Sequence, residues 1–219
     1  MSIIINPPND QEKFWSGEFG NQYTERCTGE QLIKSNEELF RRALRCSGWF
    51  DNYSGYIKDS YSGKTVIEFG ANRGLNIYAL SRLGFKTDNM SAVEINDSAC
   101  NFLNEIPGLI VYNQSIYDEC HWAKHDLVIS RGVLIHQAPD WLPEAYEVLY
   151  NASNKYILLA EYYSPERREI VYRGEHNKLW AFDFIKPMLD KGCKMLDYGF
   201  ISKYDKYPQD DITWALFSK

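Results

Sequence analysis

Short apolar runs alternate with amphipathic stretches over most of this chain, from residue 64 onward. Runs rich in β-branched and apolar residues predict five strands, at 65–70, 90–96, 109–115, 126–134 and 155–163. Residues with helical spacing predict helices between several of them, at 75–84, 98–106 and 140–153. Such alternation is typical of a parallel sheet covered by helices on both faces. The pattern therefore predicts an α/β fold of the doubly wound, Rossmann-like type.

The last part of the chain follows a different pattern. A helix is predicted over 182–192, and two apolar runs predict strands at 193–202 and 211–219. The polar connection between these strands is too short for a crossover helix, so they are expected to pair antiparallel. The expected sheet is therefore seven-stranded and doubly wound, with an antiparallel C-terminal strand.

The first sixty residues differ from this alternating region. The stretch 12–27 is polar with isolated aromatic residues, whereas 30–50 carries apolar residues at helical spacing. We expect residues 1–60 to form an N-terminal helical cap or lid, belonging to the same domain as residues 61–219. The connection 116–125 is expected to hold a short turn or helix.

Composition and charge narrow the possible functions. A chain of 219 residues fits one domain, and its net charge of −6 argues against general nucleic-acid binding. The five cysteines show no CxxC or metal-ligand spacing, which favours a reduced, cytoplasmic protein without a metal site. The opening MSIIINPPND lacks the pattern of a signal peptide, and no apolar run approaches the roughly 20 residues of a membrane span. We therefore expect a soluble protein without a membrane partner.

The turn after the first predicted strand is the most informative stretch. VIEFGANRG (66–74) places Glu68 near the strand end and glycines at 70 and 74. In doubly wound sheets, ligands bind beyond the carboxyl ends of the strands, and glycine permits a positive φ or a close approach. The turn lacks the GK of a phosphate loop, and Asn72 replaces the second glycine of the nicotinamide fingerprint GxGxxG.

The remaining candidate for this turn is the amino-acid end of S-adenosylmethionine. Its ammonium can meet Glu68 through the turn or a bridging water, with the amides of 70–74 along the ligand. Glu94 ends the second strand, about twenty residues later, where a carboxylate binds both ribose hydroxyls of a nucleoside. Because a nicotinamide cofactor carries the same ribose, Glu94 indicates a ribose and does not distinguish the two cofactors.

These motifs also carry a family resemblance. E-F-G-A-N-x-G followed by V-E-I-N resembles the class I S-adenosylmethionine-dependent methyltransferases over residues 64–219, a family whose seventh strand is antiparallel. More narrowly, FWSGEFGNQYTERC, SRGVLIHQAP and YYSPERREIVYRGEHNKLWAFDF look like the methylases associated with pseudaminic acid biosynthesis. Cys27 stands where asparagine is expected after YTER. The resemblance implies methyl transfer to a small molecule, a sugar or sugar-acid hydroxyl or amine of a nonulosonic acid pathway.

The resemblance further implies a cofactor site built from strand ends and the cap. Ser115 and Ile116, with Gln114, are expected at the adenine, and Ser130 and Arg131 beside the methionine. In the cap, Arg26 is a candidate partner for the cofactor carboxylate. The full set of predicted S-adenosylmethionine-binding residues is Trp15, Tyr23, Arg26, Glu68, Gly70, Ala71, Asn72, Gly74, Glu94, Ile95, Ser115, Ile116, Ser130 and Arg131.

Candidate catalytic and acceptor-binding residues follow the fourth and fifth strands. His136 and Glu161 are candidate bases for removing a proton from the acceptor. The acceptor-binding candidates come from the end of strand five and from the long charged connection 164–180. They are Tyr162, Tyr163, Arg173 and His176. Arg173 is the candidate for binding an anionic group of the acceptor, such as a carboxylate or phosphate.

Two other functions stay open at this stage. The protein could bind S-adenosylmethionine without turnover, as a regulatory protein, although the base candidates and the long connection count against this. It could also be a nicotinamide-dependent oxidoreductase, although Asn72 and the final hairpin count against that. The sequence favours no particular oligomeric state.

Overall fold

The computed structural model describes residues 8–49, 63–118 and 123–219. These residues form two sheets, a central one and a small hairpin. The strands are β1 (Val66–Phe69), β2 (Met90–Glu94), β3 (Ile110–Asn113), β4 (His125–Arg131), β5 (Ser153–Glu161), β6 (Arg168–Glu169), β7 (Trp180–Ala181), β8 (Lys194–Ile201) and β9 (Ile212–Ser218).

The central sheet has seven strands in the spatial order β3-β2-β1-β4-β5-β9-β8. The strands β1 to β5 are parallel to one another, and β9 runs antiparallel to both of its neighbours, β5 and β8. This confirms the predicted seven-stranded sheet and its antiparallel C-terminal strand. The strand order reverses between β1 and β4, which is where ligands bind in sheets of this type.

Helices cover both faces of this sheet. They are α1 (Asp10–Ser16), α2 (Glu18–Arg26), α3 (Glu30–Ala43), α4 (Leu75–Arg82), α5 (Asp97–Leu103), α6 (Leu142–Ala152) and α7 (Lys186–Asp190). Helix α7 is shorter than the predicted 182–192, because Asp183 accepts the amides of Ile185 and Lys186 and so fixes the helix start. Pro187 lies in the first turn, where its missing N–H costs no hydrogen bond. No helix in the described part of the chain combines the length and apolar composition needed to cross a bilayer.

The N-terminal helices have two different roles. Helices α1 and α2, together called the lid below, lie over the carboxyl ends of the strands, whereas α3 belongs to the core. Leu39 and Phe40 of α3 are fully buried in the same apolar cluster as Val66 and Leu127 of the sheet. Burying such side chains contributes about 1.5–3 kcal/mol each. The structure therefore places part of the predicted cap inside the main core, and residues 50–62 lie outside the described residues.

The connection 164–180 is not a plain loop. Strands β6 and β7 pair antiparallel, and Tyr172 and Glu175 exchange two backbone hydrogen bonds of 2.9 Å in a tight turn. The tip also contacts α1, since the Gln11 side chain donates to the Asn177 carbonyl at 2.5 Å. The other long connection, 116–125, was predicted to hold a turn or helix. Its residues 119–122 lie outside the described residues.

Candidate active site

A cavity of about 470 Å³ opens at the carboxyl ends of β1 to β5, beneath α1 and α2. Sites for small molecules typically have roughly 300–1,000 Å³. The cavity lies where the strand order reverses, as the fold requires of a ligand site. Its wall is formed by the turn after β1, the ends of β2 and β3, the segment after β4, the lid helices and the tip of the β6–β7 hairpin.

The glycine turn adopts the backbone conformation that its sequence indicates. Gly70 has φ +69°, and a Cβ at this position would collide with the side chain of Val133. Asn72 also has a positive φ, of 46°, which asparagine tolerates better than most residues. The turn therefore allows the segment after β4 to approach β1 closely, and both segments line the cavity.

The amides of this turn are bonded within the protein. The amides of Gly70 and Ala71 donate to the carbonyl of Val93 at 2.8 and 3.2 Å, and that of Gly74 donates to Ala71 at 2.9 Å. The Asn72 amide donates to Glu94 at 2.8 Å. The amides of 70–74 were expected along the ligand, and these four are already bonded within the protein. Gly74 does not line the cavity, whereas Gly70, Ala71 and Asn72 do.

Glu94 is held in a fixed position at the end of β2. Its carboxylate accepts the amides of Asn72 and Asn96, both at 2.8 Å, and only 8% of the residue is exposed. Burial raises the pKa of Glu94, while these amide hydrogen bonds act in the opposite direction. Glu94 lines the cavity beside Ile95, so its remaining oxygen lone pairs can accept hydroxyls of a ligand.

Glu68 lies behind the cavity wall. It is fully buried and accepts the Asn76 side-chain amide at 2.5 Å, and its second oxygen has no partner among the described residues. Burial raises the pKa of Glu68 to about 8. Asn76, which was not predicted from the sequence, lines the cavity in its place, and its buried oxygen Oδ1 also has no partner in the described part of the chain. Any influence of Glu68 on a ligand therefore passes through Asn76.

The predicted adenine-binding residues meet at one end of the cavity. Gln114, Ser115 and Ile116 all line it, next to Ile95. Two hydrogen bonds fix the turn after β3. Asp118 accepts the Ser115 amide at 2.7 Å, and the Ser115 hydroxyl accepts the Tyr117 amide at 3.1 Å. The apolar side chains at 95 and 116 can cover a planar base, as the resemblance implies.

The lid is fastened to the sheet by Asn96. Its side-chain amide donates to the Trp15 carbonyl at 3.0 Å and to the Asn21 side chain at 2.9 Å. The oxygen of the same side chain caps α5 by accepting the Ala99 amide at 2.9 Å. Trp15, Tyr23 and Arg26, the predicted lid residues, all line the cavity. The Trp15 indole N–H is buried and has no hydrogen-bond partner among the residues that the structure describes.

His136 lines the cavity and is held in one orientation. Its ring Nδ1 donates to the Lys178 carbonyl at 2.7 Å, and the ring packs against Trp15 with centroids 4.5 Å apart. Because a carbonyl can only accept, Nδ1 carries the proton and Nε2 keeps its lone pair in the neutral ring. Burial lowers the pKa of His136 to about 4, so the ring is neutral at ordinary pH. Nε2 is therefore unprotonated and able to accept a proton.

Glu161 and Ser130 do not reach the cavity. Both are fully buried, and the Ser130 hydroxyl donates to Glu161 at 3.0 Å. Glu161 also accepts the amides of Val133, Leu134 and Ile135 at 3.2 to 3.4 Å, and burial raises its pKa to about 7. This corrects two expectations, namely Glu161 as a base and Ser130 as a cofactor contact. A carboxylate this deep needs donors, and the segment after β4 supplies them.

Arg131 lines the cavity on the side of β5 and β9. Its guanidinium donates to the side-chain oxygen of Gln209, which lies in the connection between β8 and β9. Gln209 in turn donates to Asn36 of α3 at 3.2 Å. Gln209 and Asn36 were not predicted as site residues, because no local pattern in the sequence indicates that residues so far apart meet.

The predicted acceptor residues divide into two groups. Tyr162 and Arg173 line the cavity, and burial raises the pKa of Tyr162 to about 12. Tyr163 is 42% exposed and packs edge-on against Phe184, with centroids 6.3 Å apart. His176 is exposed and contacts Glu169 at 3.2 Å. Tyr163 and His176 lie outside the cavity lining, which corrects both expectations: successive strand residues point to opposite faces, and His176 lies on the outer part of its turn.

Several further residues complete the cavity. Gln11 and Gln137 are buried polar side chains in its wall, and Tyr172 packs against both His136 and Trp15 of the lid. Gln137 accepts the Tyr117 hydroxyl at 2.9 Å. Gln137 directly follows His136 in the sequence, and this position was the one signal from which Gln137 could have been predicted as a cavity residue. The others depend on how the lid and the hairpin pack.

Comparison with known proteins supports the fold assignment. No family model and no curated protein sequence matches the chain. Solved structures do match along nearly its whole length. One is magnesium protoporphyrin IX methyltransferase from Synechocystis PCC 6803 with bound S-adenosylmethionine, with a TM-score of 0.64, 13% identity, and 98% of this chain and 99% of that chain covered.

Two further matches are also methyltransferases. The 1,6-didemethyltoxoflavin-N1-methyltransferase of Burkholderia thailandensis has a TM-score of 0.66 and 10% identity, covering 100% of this chain and 94% of that chain. A sugar N-methyltransferase from Streptoalloteichus sp ATCC 53650 has a TM-score of 0.62 and 10% identity. The match covers 100% of this chain and 97% of that chain. The strand order and these matches together show that the chain has the fold of the class I S-adenosylmethionine-dependent methyltransferases.

Proposed function

We propose that this protein transfers a methyl group from S-adenosylmethionine to a small-molecule acceptor. The observation that carries the proposal is Glu94, a carboxylate fixed by two amides at the end of β2 and facing a cavity of suitable size. Its position suits the two ribose hydroxyls. The adenine then lies between Ile95 and Ile116, and the methionine part follows the turn after β1 toward Arg131.

Unpaired polar atoms around the cavity support a ligand with mixed charge. Buried atoms without a partner among the described residues include Trp15 Nε1, Asn72 Oδ1, Asn76 Oδ1 and Arg131 Nε. Leaving such a group unpaired costs about 1–3 kcal/mol. These atoms include both donors and acceptors, so a zwitterionic amino-acid group is suited to satisfy them. The residues present therefore fit S-adenosylmethionine.

The chemistry divides between cofactor and protein. When bound, S-adenosylmethionine supplies an electrophilic methyl group on a good leaving group. The protein contributes by holding the acceptor in line with that methyl group and by excluding water beneath the lid. His136 is positioned to take the acceptor's proton at Nε2, since its Nδ1 is committed to the Lys178 carbonyl.

The proposed acceptor is a sugar or sugar acid with a free hydroxyl or amine, as in a nonulosonic acid pathway. Support comes from the resemblance of three sequence stretches and from the hydrogen-bonding side chains of Gln11, Gln137 and Tyr162 in the wall. Arg173, also in the wall, suits an anionic group of such an acceptor. The protein from Streptoalloteichus sp ATCC 53650, which has the same fold, is by its name a sugar N-methyltransferase.

Calorimetric titration tests the cofactor. We expect the wild type to bind S-adenosylmethionine and S-adenosylhomocysteine, and Glu94→Gln to bind them at least tenfold more weakly. Glu105→Gln, an exposed acid outside the cavity, is the matched control and should bind like the wild type. Binding of NADH instead of S-adenosylhomocysteine by folded wild type would reject the proposal in favour of an oxidoreductase.

Turnover tests the enzymatic part of the proposal. S-Adenosylhomocysteine formation is measured with a panel of amino sugars, sugar nucleotides and nine-carbon sugar acids. We expect S-adenosylhomocysteine to form with one class of acceptor, and its formation to require Glu94. Tight cofactor binding without turnover on any acceptor would favour a regulatory role.

A further inference from the structure

The carbonyl of Lys178 decides which nitrogen of the His136 ring carries the proton. His136 Nδ1 donates to this carbonyl at 2.7 Å. A neutral imidazole has a single N–H, and the hydrogen bond that one nitrogen makes sets the tautomer. A ring with its proton on Nε2 would have no lone pair there for the proton of an acceptor. The position of the Lys178 carbonyl therefore determines whether His136 can act as a base.

This carbonyl lies where the β6–β7 hairpin passes from the core to its exposed tip. Leu179, which follows Lys178, is 3% exposed and packs in the apolar core, whereas residues 173–177 are exposed. Asn177 has a positive φ of 56°, and its amide donates to Glu169 of the same hairpin at 2.7 Å. The core thus fixes only one side of Lys178, and contacts from outside the hairpin decide how the other side is held.

Helix α1 supplies these contacts. The Gln11 side-chain amide donates to the Asn177 carbonyl at 2.5 Å, and Gln11 is buried. The Lys178 ammonium donates to the Asp10 carbonyl at 3.0 Å and lies 4.9 Å from the centroid of the Phe14 ring. A cation in this position is attracted by the aromatic face. Two successive residues of the hairpin are therefore fastened to the lid.

The other end of α1 is fastened beside the carboxylate proposed to bind the ribose. The Asn96 side chain donates to the Trp15 carbonyl at 3.0 Å, and the Asn96 amide donates to Glu94 at 2.8 Å. A capping box of Asn9 and Glu12 holds the first turn of α1 together. This single helix therefore bridges the cofactor side of the cavity and the hairpin that orients His136.

We propose that Lys178 and Gln11 are positioning residues, which hold the hairpin against α1 and so keep the His136 proton on Nδ1 while the lid is closed. This inference rests on the proposed function for the role of His136 as the base. Separation of α1 from the hairpin removes both contacts, and the ring is then free to carry its proton on either nitrogen. Closure of a lid commonly completes a catalytic arrangement while it excludes water. Here it would give His136 its lone pair at Nε2.

The tautomer of His136 in the ligand-free protein tests the coupling. Lys178 does not line the cavity, so Lys178→Met removes the contact with α1 without removing a ligand contact. We expect nitrogen-15 NMR to show the fraction of rings protonated at Nε2 rising about three- to tenfold, as for the loss of one hydrogen bond. Lys178→Arg keeps a donor and should resemble the wild type. Lys13→Met, at an exposed lysine of α1 outside the cavity lining, is the matched control and should leave the tautomer unchanged.

Turnover tests whether this orientation serves the reaction. With an acceptor that the wild type methylates, we expect Lys178→Met to lower kcat by about three- to tenfold and to change the KM for S-adenosylmethionine less than twofold. Lys178→Arg should restore kcat. Gln11→Met should change the tautomer in the same direction, and only its NMR signal is compared, because Gln11 also lines the cavity.

Three results separate the possible failures. If Lys178→Met and Gln11→Met both keep the wild-type tautomer, the proposal is overturned whatever their activity. A changed tautomer with an unchanged kcat would overturn it as well, because the orientation of His136 would not matter to the reaction. Thermal unfolding checks that each variant is folded, and Lys178→Met alone decides if Gln11→Met is not. Absence of S-adenosylmethionine binding by the folded wild type would reject the proposed function, whereas the tautomer is measured without any ligand.

Discussion

At the scale of single residues, burial decides which side chains of the cavity carry charge. Glu94 has amide donors for its carboxylate, whereas the neighbouring Glu68 has only the Asn76 amide and a pKa raised to about 8. His136 is uncharged because its ring is enclosed by Trp15 and Tyr172. Three titratable groups near the carboxyl ends of the strands thus acquire different chemistry from their surroundings.

The protonation state of His136 is directly measurable. Because burial lowers its pKa to about 4, we expect the ring to stay neutral, with the proton on Nδ1, down to about pH 5. Nitrogen-15 NMR of the imidazole reports both the tautomer and the titration, and His136→Gln identifies the signal. Titration of this signal with a pKa near 6.5, the ordinary value of histidine, would contradict the enclosed geometry.

The backbone of the turn gives a second prediction at this scale. Gly70→Ala should lower the free energy of unfolding by about 1–3 kcal/mol, because φ is +69° and the new Cβ meets Val133. It should also weaken S-adenosylhomocysteine binding, since the turn and the segment after β4 both line the cavity. Gly63→Ala is the matched control, since a Cβ there meets no atom of the described residues within 4 Å. Chemical denaturation of both variants measures the effect. If the free energy of unfolding fell equally in the two variants, the close approach of Val133 to Gly70 would not contribute to stability.

At the scale of elements, the segment after β4 depends on a strand that is distant in sequence. Glu161 at the end of β5 accepts three successive amides, of residues 133–135, and so fixes the turn that carries His136. We expect Glu161→Gln to lower the free energy of unfolding by about 1–3 kcal/mol, because an amide nitrogen would face an N–H donor. Glu166→Gln, on the exposed loop that follows, should have little effect. Equal stability of the two variants in urea titrations would contradict this role.

The contacts of the segment after β4 show which features of the fold and the site can be predicted from the sequence. The strands and the glycine turn were predictable because apolar periodicity and special φ values are local properties. The bridge from Glu161 to residues 133–135, and that from Arg131 through Gln209 to Asn36, join residues far apart in the chain, so no local pattern indicates them. The strands β6 and β7 have two residues each and are too short for any periodicity. Glu161 was predicted to matter, but in a different role.

At the scale of the whole molecule, the buried carboxyls link stability to pH. Burial raises the pKa values of folded Glu68 and Glu161 to about 8 and about 7, above the ordinary value of 4.5. Their contribution to stability is present below about pH 4.5 and is lost as the pH rises through 7 to 8, because the folded chain retains protons that the unfolded chain has released. His136 acts in the opposite direction, and only between about pH 6.5 and 4.

From pH 6.5 to 8, the two carboxyls therefore act without opposition from His136. We expect the free energy of unfolding of the ligand-free protein to fall over this window by about 1–2 kcal/mol. Glu68→Gln should reduce this dependence, because it removes the carboxyl with the higher pKa, while the exposed control Glu105→Gln should keep it. Urea titrations at both pH values measure the effect. A wild-type stability that is constant or rises over this window would show that Glu68 and Glu161 are ionised in the folded protein, with donors that compensate fully for their burial.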